Sequence, residues 1–252
     1  MVNIKKILPS IFESISENGE TNEKYGDNTT IFDDVKEDEK YEKIVPAIMK
    51  KGLKNITLDM FDEKTRYELI NATGRQYFKR GFYEEAIDAF KLTKNKSMLI
   101  KVGEYFAKTE LYGKALDSYE AASAYSEAER LGLKALEEGK ITDAIRAFKF
   151  TNNREKLNAV GKECLEKDKI ELAIQIFSIL KNSPKLIEVG NKCMEISDLK
   201  NAVIAYKAAE DKEHLNKIGD FYLKEAQLLK ALEVYEAAGN SEMGNFIRSN
   251  FA

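Results

Sequence analysis

Residues 186–206 read LIEVGNKCMEISDLKNAVIAY, and the pattern of this stretch recurs six times along the chain. Each copy is centred on one of six glycines that recur with a constant period of 29: Gly74, Gly103, Gly132, Gly161, Gly190 and Gly219. An alanine follows each glycine at position +12, and an aromatic residue follows it at position +16, namely Phe90, Tyr119, Phe148, Phe177, Tyr206 and Tyr235. A fixed period of this length is typical of proteins that stack one supersecondary unit many times.

Within each unit, apolar residues lie three or four positions apart, first around the glycine and again around the alanine. This spacing predicts two amphipathic helices rather than strands, in which apolar residues alternate with a period of two. Turn-forming pairs such as Arg80-Gly81 and Glu138-Gly139 separate the two groups. Each unit is therefore predicted to be an αα-hairpin, with glycine and alanine where the helix axes cross closely. The aromatic ring is expected to fill the space between one hairpin and the next.

This pattern resembles the tetratricopeptide repeat (TPR) family, over about residues 66–252. The resemblance implies an all-α fold: a right-handed solenoid of about six αα-hairpins, a C-terminal cap helix around Gly244, Ile247 and Phe251, and a partly disordered N-terminal tail. The units depart from the family in having a period of 29 rather than about 34, and in lacking the closing proline except at Pro184. Coat-complex and intraflagellar-transport solenoids have shortened units that are similar to these.

The region before the repeats divides into three parts. Residues 1–16 form a short amphipathic segment, residues 17–40 an acidic linker, and residues 41–65 a degenerate helical cap. Between residues 13 and 42 there are eleven acidic residues and three lysines, a composition that predicts disorder. The first part carries the apolar residues of a candidate docking segment: Ile7, Leu8, Ile11, Phe12 and Ile15. This segment could bind another protein or its own solenoid, or simply cover the first hairpin.

Composition excludes several classes of protein. The chain has 252 residues and a net charge of -3, and no apolar run is long enough to cross a membrane. Two cysteines and one histidine cannot form a four-ligand zinc site. Cys164 and Cys193 are expected to be buried free thiols, and His214 to be exposed. We predict no catalytic residue, no cofactor, no metal and no membrane contact, and a cytoplasmic location.

The candidate partner-binding residues come from the resemblance, because TPR first helices line a concave groove with the positions three before, one after and five after the glycine. These residues are Ile100, Leu133, Asn158, Lys162, Ile187, Asn191, Asn216 and Asp220. An asparagine amide can donate to and accept from a peptide backbone at once, so Asn158, Asn191 and Asn216 suit an extended chain. The family's clamp for terminal carboxylates is absent. The alternative is that these positions are unselected.

The sequence thus predicts a non-catalytic scaffold or adaptor that holds an extended peptide or helix of a partner protein. One alternative is a ribosome-associated or ribonucleoprotein adaptor. Direct nucleic-acid binding is disfavoured, because residues 66–252 contain 30 basic and 29 acidic residues. The other alternative is a regulatory subunit of an enzyme complex that acts through its N-terminal segment. Homodimerisation through the edges of an open solenoid is a further option.

Overall fold

The computed structural model describes residues 30–32 and 41–251. The candidate docking segment and most of the acidic linker lie outside the described residues. All regular structure in the described ranges is helical, so the predicted all-α fold is confirmed. None of these helices is both long and apolar enough to span a bilayer.

Fourteen α-helices follow one another in residues 41–251. They are α1 (Val45–Lys51), α2 (Glu63–Lys79), α3 (Tyr83–Leu92), α4 (Lys96–Lys108), α5 (Tyr112–Ala122), α6 (Tyr125–Glu137), α7 (Ile141–Phe150), α8 (Arg154–Glu166), α9 (Ile170–Leu180), α10 (Ser183–Glu195), α11 (Leu199–Ala209), α12 (Lys212–Lys224), α13 (Leu228–Ala238) and α14 (Ser241–Phe251). Two 3₁₀ turns, Thr30–Phe32 and Leu53–Asn55, lie outside them. We call the even-numbered helices α2 to α12, which carry the six glycines, the first helices, and the odd-numbered helices α3 to α13 the second helices.

The chain forms two compact units, Met1–Phe150 and Thr151–Ala252. In the first unit α2 pairs with α3, α4 with α5 and α6 with α7, while α1 packs on α2. In the second unit α8 pairs with α9, α10 with α11 and α12 with α13, while α14 packs on α13. Inside each unit a second helix also packs on the first helix that follows it. Within each unit, helices that are neighbours in sequence are thus neighbours in space, as expected for helical repeats.

Each of the six glycines lies against the aromatic ring at position +16 of its own hairpin. A methyl group at Gly161 would stand 2.8 Å from Cε1 of Phe177, and one at Gly219 would stand 2.7 Å from Cε1 of Tyr235. Real Cβ atoms do not approach ring carbons so closely, so no other residue fits without a shift. The sequence correctly located these close crossings. The ring, however, contacts the glycine of its own hairpin, a contact that the prediction of a ring between hairpins did not include.

The turn inside each hairpin and the turn after it each place one residue in the left-handed region. These residues are at positions +7 and +20 from the glycine, respectively. The turns inside the hairpins use Gly81, Glu110, Gly139, Asp168, Ser197 and Ala226, and those between hairpins use Lys94, Ser123, Asn152, Lys181, Glu210 and Gly239. After most of the turns between hairpins, the next residue caps the following helix. Asn95, Asn153, Asn182, Asp211 and Asn240 each accept a hydrogen bond from a backbone N–H three positions on. Such caps satisfy N–H groups that the helix leaves unpaired.

Candidate partner-binding site

All eight candidate partner-binding residues lie on first helices. The first unit contains Ile100 on α4, which is half-buried, and Leu133 on α6, which is 39% exposed. The second unit contains the other six: Asn158 and Lys162 on α8, Ile187 and Asn191 on α10, and Asn216 and Asp220 on α12. Of these six, Lys162, Asn191 and Asp220 are exposed and the other three are half-buried.

Asn191 and Asp220 are hydrogen-bond acceptors for tyrosines of their own hairpins. The hydroxyl of Tyr206 donates to Oδ1 of Asn191 at 2.7 Å, and that of Tyr235 donates to Oδ1 of Asp220 at 2.5 Å. Burial, followed by the bond to Asp220, raises the pKa of Tyr235 above its ordinary value. Each of these two candidate residues therefore links the two helices of its hairpin.

The same relationship distinguishes the tyrosine units from the phenylalanine units. The residue after the glycine has a side-chain acceptor group, Glu104, Asn191 or Asp220, wherever the ring is Tyr119, Tyr206 or Tyr235. The hydrogen bond itself is formed by Tyr206 with Asn191 and by Tyr235 with Asp220. It is Arg75, Leu133 or Lys162 wherever the ring is Phe90, Phe148 or Phe177. A phenol hydroxyl at the edge of a core needs a partner, whereas a phenyl ring needs none. This regularity is visible in the sequence, but it carries meaning only once the two positions are known to face each other.

Asn216 also has structural partners. Its side-chain carbonyl accepts a hydrogen bond from Nδ2 of Asn240 at 2.7 Å, and its own Nδ2 donates to the backbone oxygen of Lys212 at 2.8 Å. In the first unit Asn71 has the same arrangement, with Asn95 as the donor at 2.8 Å. Asn71 and Asn216 lie on first helices, and their donors are the capping residues of the helices that begin the next hairpin or the cap. These asparagine pairs tie each hairpin to the element that follows it.

A surface depression of about 410 Å³ lies on α10 in the second unit. Its walls are Pro184, Ile187, Glu188, Asn191, Lys192 and Glu195, so two of the candidate residues border it. Nζ of Lys192 donates to the carbonyl oxygen of Leu165 and pairs with Asp168, both at 2.7 Å, which links α10 to the end of the first helix before it. Ile187 is thus an apolar side chain set among charged and amide groups.

In the first unit, a surface formed by α2, α3 and α4 carries a segment of the chain itself. The side chain of Phe32, in the turn Thr30–Phe32, is only 2% exposed. Its ring meets the rings of Phe78 and Phe90 edge to face at centroid distances of 5.4 and 6.0 Å, and the turn contacts α4. This contact is not among those predicted from the sequence. The available signal was an adjacent apolar pair, Ile31 and Phe32, inside an acidic stretch.

The two cysteines and the histidine are buried or half-buried. Cys164 and Cys193 are both buried free thiols, as predicted, and burial raises the pKa of both, that of Cys193 to about 11. His214 is half-buried, not exposed as expected, because its ring stacks on Tyr206 at 4.7 Å and its Nδ1 lies 2.7 Å from Asp211. Partial burial of Asp211 opposes ionisation, but hydrogen bonds from the backbone and ring of His214 outweigh it and lower the pKa of this carboxyl.

Among the described residues there is no cluster of three or more histidine, cysteine, aspartate or glutamate side chains that could hold a metal ion. Comparison with known proteins found no matching family model, no matching curated protein and no matching solved structure.

Proposed function

We propose that this protein is a non-catalytic scaffold that holds a segment of a partner protein against its first helices. The observation that carries the proposal is the burial of Phe32 against Phe78 and Phe90, beside α4. A face that buries one aromatic side chain of a short segment has the geometry to bury such a side chain from elsewhere. The finer architecture, a TPR-like solenoid of six hairpins, belongs to the same proposal and is supported by the repeated glycine–aromatic contact.

The repeat supports a position for the partner segment in the second unit. Three repeats after Phe78, Phe90 and α4, the corresponding elements are Leu165, Phe177 and α10. The depression beside Ile187 is on that same helix. The ring of Phe177 has no hydroxyl group, so Phe177 needs no hydrogen-bond partner. The proposed occupant is an extended segment with an aromatic anchor next to Ile187.

Selection from a displayed library of random peptides on the full-length protein tests this function. We expect enriched sequences to share an aromatic residue, and Ile187→Arg to abolish the enrichment because it places a charge at the apolar wall. The matched control is Ile204→Arg, the same change at a 44% exposed isoleucine of the second helix α11, which should leave the enrichment intact. Absence of enrichment, or enrichment that survives Ile187→Arg, would contradict the proposal.

A further inference from the structure

The turn that carries Phe32 fills a slot whose walls are aromatic. Phe78 is itself held edge to face by Tyr83 at 5.0 Å and by Tyr105 at 5.1 Å, and it meets Phe106 at 6.2 Å. These contacts hold Phe78 independently of Phe32, and Phe90 also packs against Gly74. The slot therefore holds one aromatic side chain between rings that have other neighbours.

The first helix at this slot is covered more deeply than the others. Asn71 and Arg75 are buried on α2, and Arg75 is the only charged residue that is buried in the described ranges. The residues equivalent to Arg75 on the other first helices are half-buried or exposed: Glu104, Leu133, Lys162, Asn191 and Asp220. Two elements that precede α2 in sequence pack nearby: α1 packs on α2, and the Phe32 turn packs against Phe78 of the same helix.

Charge complements the aromatic contact. The C-terminal half of α2 and the whole of α4 carry five basic residues and one acidic residue, namely Arg75, Lys79, Lys96, Lys101, Lys108 and Glu104, whereas α3 carries Glu84, Glu85, Asp88 and Lys91, so the three together have two more basic than acidic residues. The residues that follow Phe32 in sequence are Asp33 and Asp34, and Glu37, Asp38 and Glu39 come soon after. A ligand for this slot is therefore defined by two features, a phenylalanine and an acidic stretch directly after it.

We propose that the slot formed by Phe78, Phe90 and α4 is a binding site for a partner segment that has a phenylalanine followed by acidic residues. Phe32 and its acidic neighbours are a built-in competitor for that site. This inference rests on the proposed scaffold function and names a ligand chemistry and a regulation for it. A partner reaches the slot only in molecules from which Phe32 has withdrawn, so its apparent affinity is reduced by the fraction of molecules that are open.

Fluorescence anisotropy with a labelled peptide of residues 27–36 tests the proposal on the full-length chain. We expect the peptide to bind the Phe32→Ala protein at least about tenfold more tightly than the wild type, because the substitution vacates the slot. Binding should weaken as salt is raised, since charge contributes. A peptide in which the phenylalanine is alanine should not bind. The control protein is Phe251→Ala, which removes a 56% exposed phenylalanine from α14 and should behave as the wild type.

A second variant guards against loss of folding in Phe32→Ala. Asp33→Lys combined with Asp34→Lys keeps the phenylalanine but reverses the charge of the two residues that follow it in sequence, so Phe32 should compete less well and peptide binding should again increase. Equal peptide binding by the wild type and by a variant whose circular dichroism is unchanged would overturn the inference. If that happened while library enrichment still depended on Ile187, the competitor model would fail and the scaffold function would stand.

Discussion

The hydroxyl of Tyr206 donates a hydrogen bond to the side-chain carbonyl of Asn191 across 2.7 Å, and joins the two helices of one hairpin. Tyr206→Phe should lower the free energy of unfolding by about 0.5–1.5 kcal/mol, because it removes the donor and keeps the ring. In a double-mutant cycle with Asn191→Ala, urea denaturation should show a combined loss smaller than the sum of the two. Phe177→Tyr is the matched control, since the position after Gly161 is Lys162 and the new hydroxyl finds no acceptor there. Strict additivity of the two losses would mean that the bond contributes nothing.

Gly190 has no room for a side chain, because a methyl group would stand 2.5 Å from Cε1 of Tyr206. Gly190→Ala should therefore lower the melting temperature: overpacking costs about 1–3 kcal/mol and outweighs the gain of about 1 kcal/mol in helix propensity. Gly113 on α5 is the control, because no atom lies within 4 Å of a methyl group placed there. Gly113→Ala should raise the melting temperature. An increase in both variants would refute the close-crossing explanation.

Ala226, in the turn between α12 and α13, lies in the left-handed region with a φ angle of 54°. That conformation costs a residue with a Cβ about 1–2 kcal/mol. Glycine avoids this cost, but its greater conformational freedom in the unfolded chain offsets about 0.5–1 kcal/mol of the gain. Ala226→Gly should therefore stabilise the protein by up to about 1 kcal/mol, measured by thermal or urea denaturation. Gly139→Ala makes the reverse change at the equivalent turn of another hairpin, where nothing lies within 4 Å, and it should destabilise. Effects of the same sign at the two positions would exclude this explanation.

The free energy of unfolding should decrease at alkaline pH, because Tyr119 binds its proton more tightly in the folded state than in the unfolded state. Burial, followed by the nearby charge of Glu104, raises the pKa of Tyr119 from 10.0 to about 12. Below pH 10 both states keep the proton; between pH 10 and about 12 only the unfolded chain loses it, so the free energy of unfolding decreases with pH. Urea midpoints measured across this window should fall less steeply for Tyr119→Phe. Cys193, with its pKa raised to about 11, contributes in an overlapping window and is unchanged in that comparison. Identical slopes for the wild type and Tyr119→Phe would count against the prediction.

The repeat made the helices predictable, because Gly190, Ala202 and Tyr206 each recur at one spacing and the contact between glycine and ring follows from it. The partners of the groove residues were not predictable in this way. Asn191 and Asp220 were assigned to an outside ligand, since a first-helix position viewed alone shows only that it is polar. Their bonds to Tyr206 and Tyr235 require the relative orientation of two helices, which a helical period does not contain.

Phe32 escaped prediction for a different reason. Composition is an average over a segment, and the acidic residues around Phe32 dominate that average. Burial of a single ring depends instead on a slot made by Phe78 and Phe90, which belong to helices α2 and α3 and are distant from Phe32 in sequence. One aromatic side chain in a polar segment is thus a feature that mean composition cannot detect.

Hydrogen bonds inside a hairpin and hydrogen bonds between hairpins respond differently when a whole repeat is duplicated or deleted. The Tyr206–Asn191 and Tyr235–Asp220 bonds lie inside one hairpin, so duplication or deletion of a whole repeat carries both members along. The Asn71–Asn95 and Asn216–Asn240 bonds cross from a hairpin to the element after it, and they survive only where the new neighbours match. A few amide groups therefore depend on the order of the hairpins. If the repeats were placed in random order, the bonds inside each hairpin would be kept and the bonds between hairpins would be lost.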